Sequence, residues 1–555
     1  MSTPASPSEH QATASGAAGS DGSIGSIGSI GSIGSIGSDG LSGAPGLTAL
    51  AAEADAGLLD PLSSGTTAVV QSSDANYLLH LLQVEAAWTA VLAQHGMVTA
   101  GQAEAAAEAA DPRHLADYDL IGLAHAGQNG GNVLIPALKA MRARAAQAAP
   151  TEPGVSSAIH VGATSQDIMD TAMMRMAAQV AGTVLADLRA AVGSLAAMAT
   201  EHRATPMVAR SLAQHSLPST FGLRAAGWMS GLAQAGRRFE AATAELPIQW
   251  GGAAGTMAAL SGRVATARAA GTLDAGTDAF TLVEELAQRL GLKAPAGPWQ
   301  TNRMPITGLA AALADVVAAC GKIANDVLIS ARIENGELGE PLVAGRGGSS
   351  AMPHKQNPVL SVMIHAGALG APGTLAQVLT AAGAANEERP DGAWHAEWPA
   401  LRQLMRTAGG AAARTAELVS GLRVNTDRMA ENLNRVGPLL VSERLMAELA
   451  PLLEESGPES GGRAGSGQSG SGTSRSGKER LQEIVDRSLE SQHGQQDGQQ
   501  QGNDFRSLLR AALPDTVSDA ELDGLLDPAN YTGEATTLVD RLVAEYRNFA
   551  EWSTT

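Results

Sequence analysis

Aromatic side chains make up only 3% of the 555 residues, and clean two-residue alternation of apolar and polar positions is nearly as rare, so strand signals are few. There is a single cysteine, Cys320. One thiol rules out an intrachain disulfide framework and is compatible with a reducing cytoplasm. It sits in the apolar run LAAALADVVAACGKIANDVLI and reads as a small core residue rather than a nucleophile. Positive charge is in short supply: the formal net charge is −19, which argues against a nucleic-acid partner. An anionic substrate would be repelled by that global field, so a site for one must be locally basic. Lys355, Arg210, Arg303 and nearby histidines are the groups available for it. No charged segment followed by an apolar one opens the chain, and no apolar run reads as long enough to span a bilayer. The expectation is a cytoplasmic protein with no membrane partner. The histidines show no HExxH spacing and no cysteine accompanies them, so no metal site is expected.

What is present is helical periodicity. Thr164 and Asp167 have capping-box spacing. From there Met169, Met173, Met176, Val180, Val184, Leu188, Val192, Leu195 and Met198 recur at steps of three and four, which predicts one helix of about 30 residues, about 45 Å long. A second stripe opens at Pro305, suited to a first helical turn, and continues through Leu309, Leu313, Val317, Cys320, Ile323 and Val327. The fold class is all-α. Residues 1–56 are rich in Ser, Gly and Ala and carry five tandem GSI units, with too few large apolar side chains to offset ordering entropy. They read as a disordered tail. Low-complexity stretches at 456–477 and 492–502 read as surface insertions. The predicted division is an N-terminal helical region at 57–154, a central region of long helices at 155–424 and a C-terminal helical region at 425–555.

Residues 347–358, GGSSAMPHKQNP, carry the most chemistry. Gly345, Gly347 and Gly348 give the freedom of a loop that closes on a ligand, Ser349 and Ser350 bring hydroxyls, and Pro353 and Pro358 end the flexibility. A phosphate cradle is set aside because the G-x-x-x-x-G-K-[ST] order is missing. This segment resembles the signature loop of the fumarase/aspartase superfamily. Three further stretches follow in that family's order: HVGATSQDIMDTA from His160, ARSLAQHSLPSTFGLRAAGW from Ala209 and WGGAAGTMAAL from Trp250. GAWHAEW from Gly392, LLDPANYTG from Leu525, LLDPLSSG from Leu58 and GNVLIPALKA from Gly131 resemble its carboxymuconate cycloisomerase branch.

The resemblance implies a three-domain fold with a central helical bundle, a homotetramer whose active sites are shared between subunits, and chemistry next to a carboxylate through an aci-carboxylate carbanion. That chemistry requires a proton-exchanging group, cations or N–H donors facing the developing oxyanion, and a second acid or base. It implies a small tricarboxylate substrate closed to a lactone, with no cofactor. It also implies Ser349 as the group that exchanges the carbon-bound proton and His215 as the second acid/base. Ser350, Lys355, Asn357, Thr164, Ser165 and His160 are then substrate-binding. Arg303 reads as a carboxylate clamp or a solvated helix-end charge, and Trp394 and His395 as a pocket wall or helix junction. Several positions depart from the family pattern. Gln356 stands for a basic residue, Glu387 for a histidine, Met304-Pro305 for Asp-Arg, and Leu212 for the histidine common in adenylosuccinate lyases. The losses of positive charge leave room for a changed substrate. Within the superfamily, a fumarate-releasing lyase is the rival enzyme, and a catalytically retired scaffold is the rival of another class.

Overall fold

The computed structural model describes residues 57–348, 352, 355–455, 476–492 and 501–551. The helices that position the site are α1 (Asp74–Gln94), α2 (Leu134–Ala148), α3 (Ser165–Glu201), α4 (Phe221–Ala244), α5 (Met304–Ser330), α6 (Val359–Gly383), α7 (Ala393–Ser420) and α8 (Ala535–Glu551). The protein is all-α, as the stripes predict. Every apolar residue of the predicted Met169–Met198 stripe is buried on α3, which runs to 37 residues, about 55 Å at 1.5 Å per residue. The second stripe is buried on α5, with Pro305 in its first turn. Long stripes of this kind have to be covered on more than one side, and α3 to α8 do so by packing on one another around the largest core.

α1 is buried on several faces. Its Leu81, Trp88 and Val91 join Ile168, Trp250 and Trp394 in a second core, where the Trp88 and Trp250 rings lie 4.2 Å apart. Its Leu78 and Leu82 join Met141 of α2 and Ile159 in a third. A smaller cluster, including Leu445, Leu481 and Leu509, lies in the C-terminal region.

α3, α5 and α6 are each long and apolar enough to cross a membrane by length and composition; the sequence reading missed this because scattered polar residues break the runs. The C-terminal interruptions are shorter than predicted at their described ends, since Gly477 and Gln492 bound one helix and Gln501 opens the next. Residues 1–56, 456–475 and 493–500 lie outside the described residues. Two small sheets interrupt the helices: β1 (Pro206–Ser211) pairs antiparallel with β2 (Gln214–Thr220), and β3 (Leu338–Gly339) with β4 (Arg423–Val424).

Candidate active site

The 160s segment is held by Asp167. Its buried carboxylate accepts from the backbone N–H of Thr164 (2.9 Å), Gly251 (2.8 Å) and Gly252 (3.0 Å) and from the Gln249 amide (3.1 Å). Burial pushes the carboxyl up to about 6, against these donors, which favour the anion. Asp167 thus caps α3 and ties it to the turn after Trp250. Thr164, the N-cap, also accepts at its hydroxyl from Arg389. His160 sits just upstream in a left-handed conformation, φ 70°, and its Nδ1 lies 2.6 Å from Glu85 Oε1. His160 and Ser165 both line a cavity of about 500 Å³.

Arg303 is neither a solvent-facing charge nor an available clamp. It is 2% exposed, and all five of its donors are used inside the protein. Nη1 donates to Asp170 Oδ2 (2.7 Å) and toward Gln300 O (3.4 Å), and Nη2 to Asp170 Oδ1 (3.1 Å) and Glu397 Oε1 (2.6 Å). Nε donates to Glu397 Oε2 (3.1 Å). A guanidinium so fully committed has no fork left for a substrate. Trp394 belongs to the same cluster, its indole N–H donating to Asp170 Oδ1 (2.9 Å). Trp394 is therefore a helix junction of the core. His395 faces out and donates from Nε2 to Gly131 O (2.9 Å).

His215 is on β2, opposite Arg210. The Arg210 guanidinium grips buried Glu337 with two bonds, 2.9 and 2.7 Å. Burial lowers the His215 pKa, and Arg210 and Arg435 lower it further against the pull of Glu337. The imidazole is therefore neutral at neutral pH and able to accept a proton. Leu212 and Ala213 form the hairpin tip with φ of 50° and 65°, and Leu212 is 97% exposed.

Ser349 and Ser350 lie outside the described residues. The neck of their loop is well defined. Asn357 donates to Gly347 O from its backbone N–H (2.8 Å) and its side-chain amide (3.0 Å), and Gln356 donates to Arg346 O (2.9 Å). Gly347 has φ 70°, and a Cβ there would stand 2.4 Å from Asn357 O, so only glycine fits. Part of Asn357 is thus spent on bracing the loop, while Lys355 is exposed. Below the neck, buried Glu340 caps α6 through the N–H groups of Leu360 (3.0 Å) and Ser361 (2.7 Å). Glu85, Glu337, Glu340 and Arg389 escaped the sequence reading; each acts through a partner distant in sequence, and no local pattern marks it.

One chain does not bring the predicted residues together. Thr164, Ser165 and His160 are at the start of α3, while β1 begins a few residues beyond its far end, about 55 Å away. α5 runs the same course, from Arg303 beside Asp170 to Ser330, whose carbonyl accepts from Glu337. His215 and the neck of the 345–358 loop therefore belong to the opposite end of the bundle.

A family description that reads lyase matches residues 66–373. Nitrosuccinate lyase of Streptomyces davaonensis is 41% identical over 497 residues, 89% of this chain and 96% of that protein. The 3-carboxy-cis,cis-muconate cycloisomerase of Bradyrhizobium diazoefficiens is 38% identical over 403 residues, 72% of this chain and 84% of that protein. Among solved structures, the 3-carboxy-cis,cis-muconate lactonizing enzyme of Pseudomonas putida matches with a TM-score of 0.74 at 29% identity, covering 89% of this chain and 99% of that one. Joined to the ordered motifs and the bundle, these likenesses show that the chain belongs to the lyase family of the fumarase/aspartase superfamily.

Proposed function

We propose that the protein eliminates a leaving group from a C2-substituted succinate to give fumarate, with nitrosuccinate the first substrate to test. The end-to-end likeness to nitrosuccinate lyase carries this reading. The departures at Gln356, Glu387 and Met304-Pro305 support it, because a dicarboxylate calls for fewer cations than a trianion. In the reaction, Ser349, acting as its alkoxide, takes a proton from C3 and the charge moves onto the neighbouring carboxylate. That charge is met by Lys355 and by N–H donors. The C2–N bond then breaks, so that nitrosuccinate gives fumarate, nitrite and a proton. Nitrite is a stable anion and needs no strong acid to leave. A neutral His215 suits it better than it suits an amine leaving group, which must be protonated, and acts here as the base that accepts the Ser349 hydroxyl proton.

The second reading is a 3-carboxy-cis,cis-muconate cycloisomerase, favoured by GAWHAEW and LLDPANYTG and by the likeness to the Pseudomonas putida enzyme. There the substrate's own carboxylate adds to a conjugated double bond, and positioning carries much of the catalysis. In either case the site is assembled from several chains of a homotetramer. The separation of the Thr164 and His215 ends supports this, as does α6, which leaves Val362, Leu369 and Leu379 at least half exposed.

The deciding experiment incubates purified protein with nitrosuccinate and, separately, with 3-carboxymuconate. Fumarate and nitrite in equal amounts from the first is the expected result; loss of the diene chromophore from the second alone would replace the lyase reading with the cycloisomerase.

A further inference from the structure

The cavity beside His160 holds more positive charge than the residues carried over from the family supply. α2 contributes Ile135, Leu138, Lys139 and Arg142 to its wall, spaced so that they share one helical face. Ser156, His160 and Ser165 complete its polar lining, and among the described residues no carboxylate lines it. Arg142 donates from Nη2 to Ile159 O (2.8 Å) and makes no ion pair among the described residues, so its charge is uncompensated beside the cavity that it lines. Glu85, 1% exposed, holds the Nδ1 proton of His160, which leaves Nε2 as the nitrogen that a ligand meets. In a chain of net charge −19, two cations, two hydroxyls and a fixed imidazole around one cavity make a local anion site. Its volume of about 500 Å³ is that of a small-molecule pocket.

We propose that this cavity is a carboxylate subsite and that Arg142 and Lys139 bind one carboxylate of the substrate beside His160 and Ser165. The assignment rests on the proposed reaction for its substrate but on the cavity alone for its chemistry. Succinate, a dicarboxylate with no leaving group, is the probe. It is titrated calorimetrically into the full-length protein and into Arg142→Gln and Lys139→Gln, each checked for an unchanged melting temperature. Wild type should bind succinate, and each variant should weaken binding about tenfold, as expected for loss of a charge-assisted contact. In turnover, KM should rise in parallel with a much smaller fall in kcat, and Arg142→Lys should restore part of the loss. Folded variants with unchanged succinate affinity and KM would overturn the subsite, as would a wild type that binds no succinate. Should wild type turn over neither proposed substrate, the reaction reading fails, while Arg142-dependent succinate binding still upholds the subsite.

Discussion

At the scale of single residues, buried charge separates what the sequence reveals from what it hides. Arg303, read as a clamp or a solvated charge, is the cation of a core cluster with Asp170 and Glu397. Nothing within a few residues of it announces partners 133 and 94 positions away. Arg303→Met should lower stability by roughly 3–5 kcal/mol, because it strands two buried carboxylates; urea unfolding will show it, and a loss below about 1 kcal/mol would mean that the cluster relaxes. His80 offers a pH test. Burial above all lowers its pKa to about 4, below the unfolded value, so the stability it contributes is present above about pH 6.5 and lost as the pH falls toward 4. Asp167, raised to about 6, works in the opposite direction: its contribution is present below about pH 4 and lost as pH rises through 6. Comparing wild type with His80→Gln cancels Asp167. The variant should lose less stability between pH 7 and pH 5 than wild type does, and parallel losses would exclude His80. His215→Asn should lower kcat more than it raises KM. The wild-type acid limb of kcat/KM should lie below pH ~6.5, whereas a limb above that value would contradict a neutral His215.

At the scale of elements, the helices were legible and the hairpin was not. The stripes from Met169 and Leu309 fall on α3 and α5 because a continuous buried face along a helix recurs at the helical period. Thr164 and Asp167 cap α3 as their spacing predicts, but the other donors to Asp167 come from the turn after Trp250, which local spacing does not show. The β1–β2 hairpin was missed because its turn is Leu212-Ala213, with none of the glycine or asparagine that marks such turns. Two non-glycine residues in the left-handed region carry a cost of roughly 1–2 kcal/mol each. Leu212→Asn with Ala213→Gly should therefore raise stability by about 1 kcal/mol or more, read as a higher unfolding midpoint. No gain would show that the turn is already relaxed.

At the scale of the whole molecule, the motifs were legible one by one and their distribution was not. Periodicity says nothing of which end of a 37-residue helix a motif will occupy. If the sites are shared, mixing Ser349→Ala with His215→Asn under conditions of subunit exchange should return a minority of activity, since some sites receive both native residues. A mixture that stays inactive despite proven exchange would rule the arrangement out. Deleting residues 1–50 should leave activity and Tm unchanged, because the GSI units offer no core; a marked fall in Tm would show that they join the folded body.

Cys320, the single thiol of the chain, is fully buried on α5, where burial pushes it up to about 12. Alkylation requires both access and thiolate, so the closed bundle is inert to iodoacetamide, and each labelled molecule records one opening of the central helices. The protein thus carries its own clock for bundle opening, readable as a single mass increment. Labelling at the rate of a free peptide thiol, in enzyme that keeps its activity, would show that α5 is not sealed.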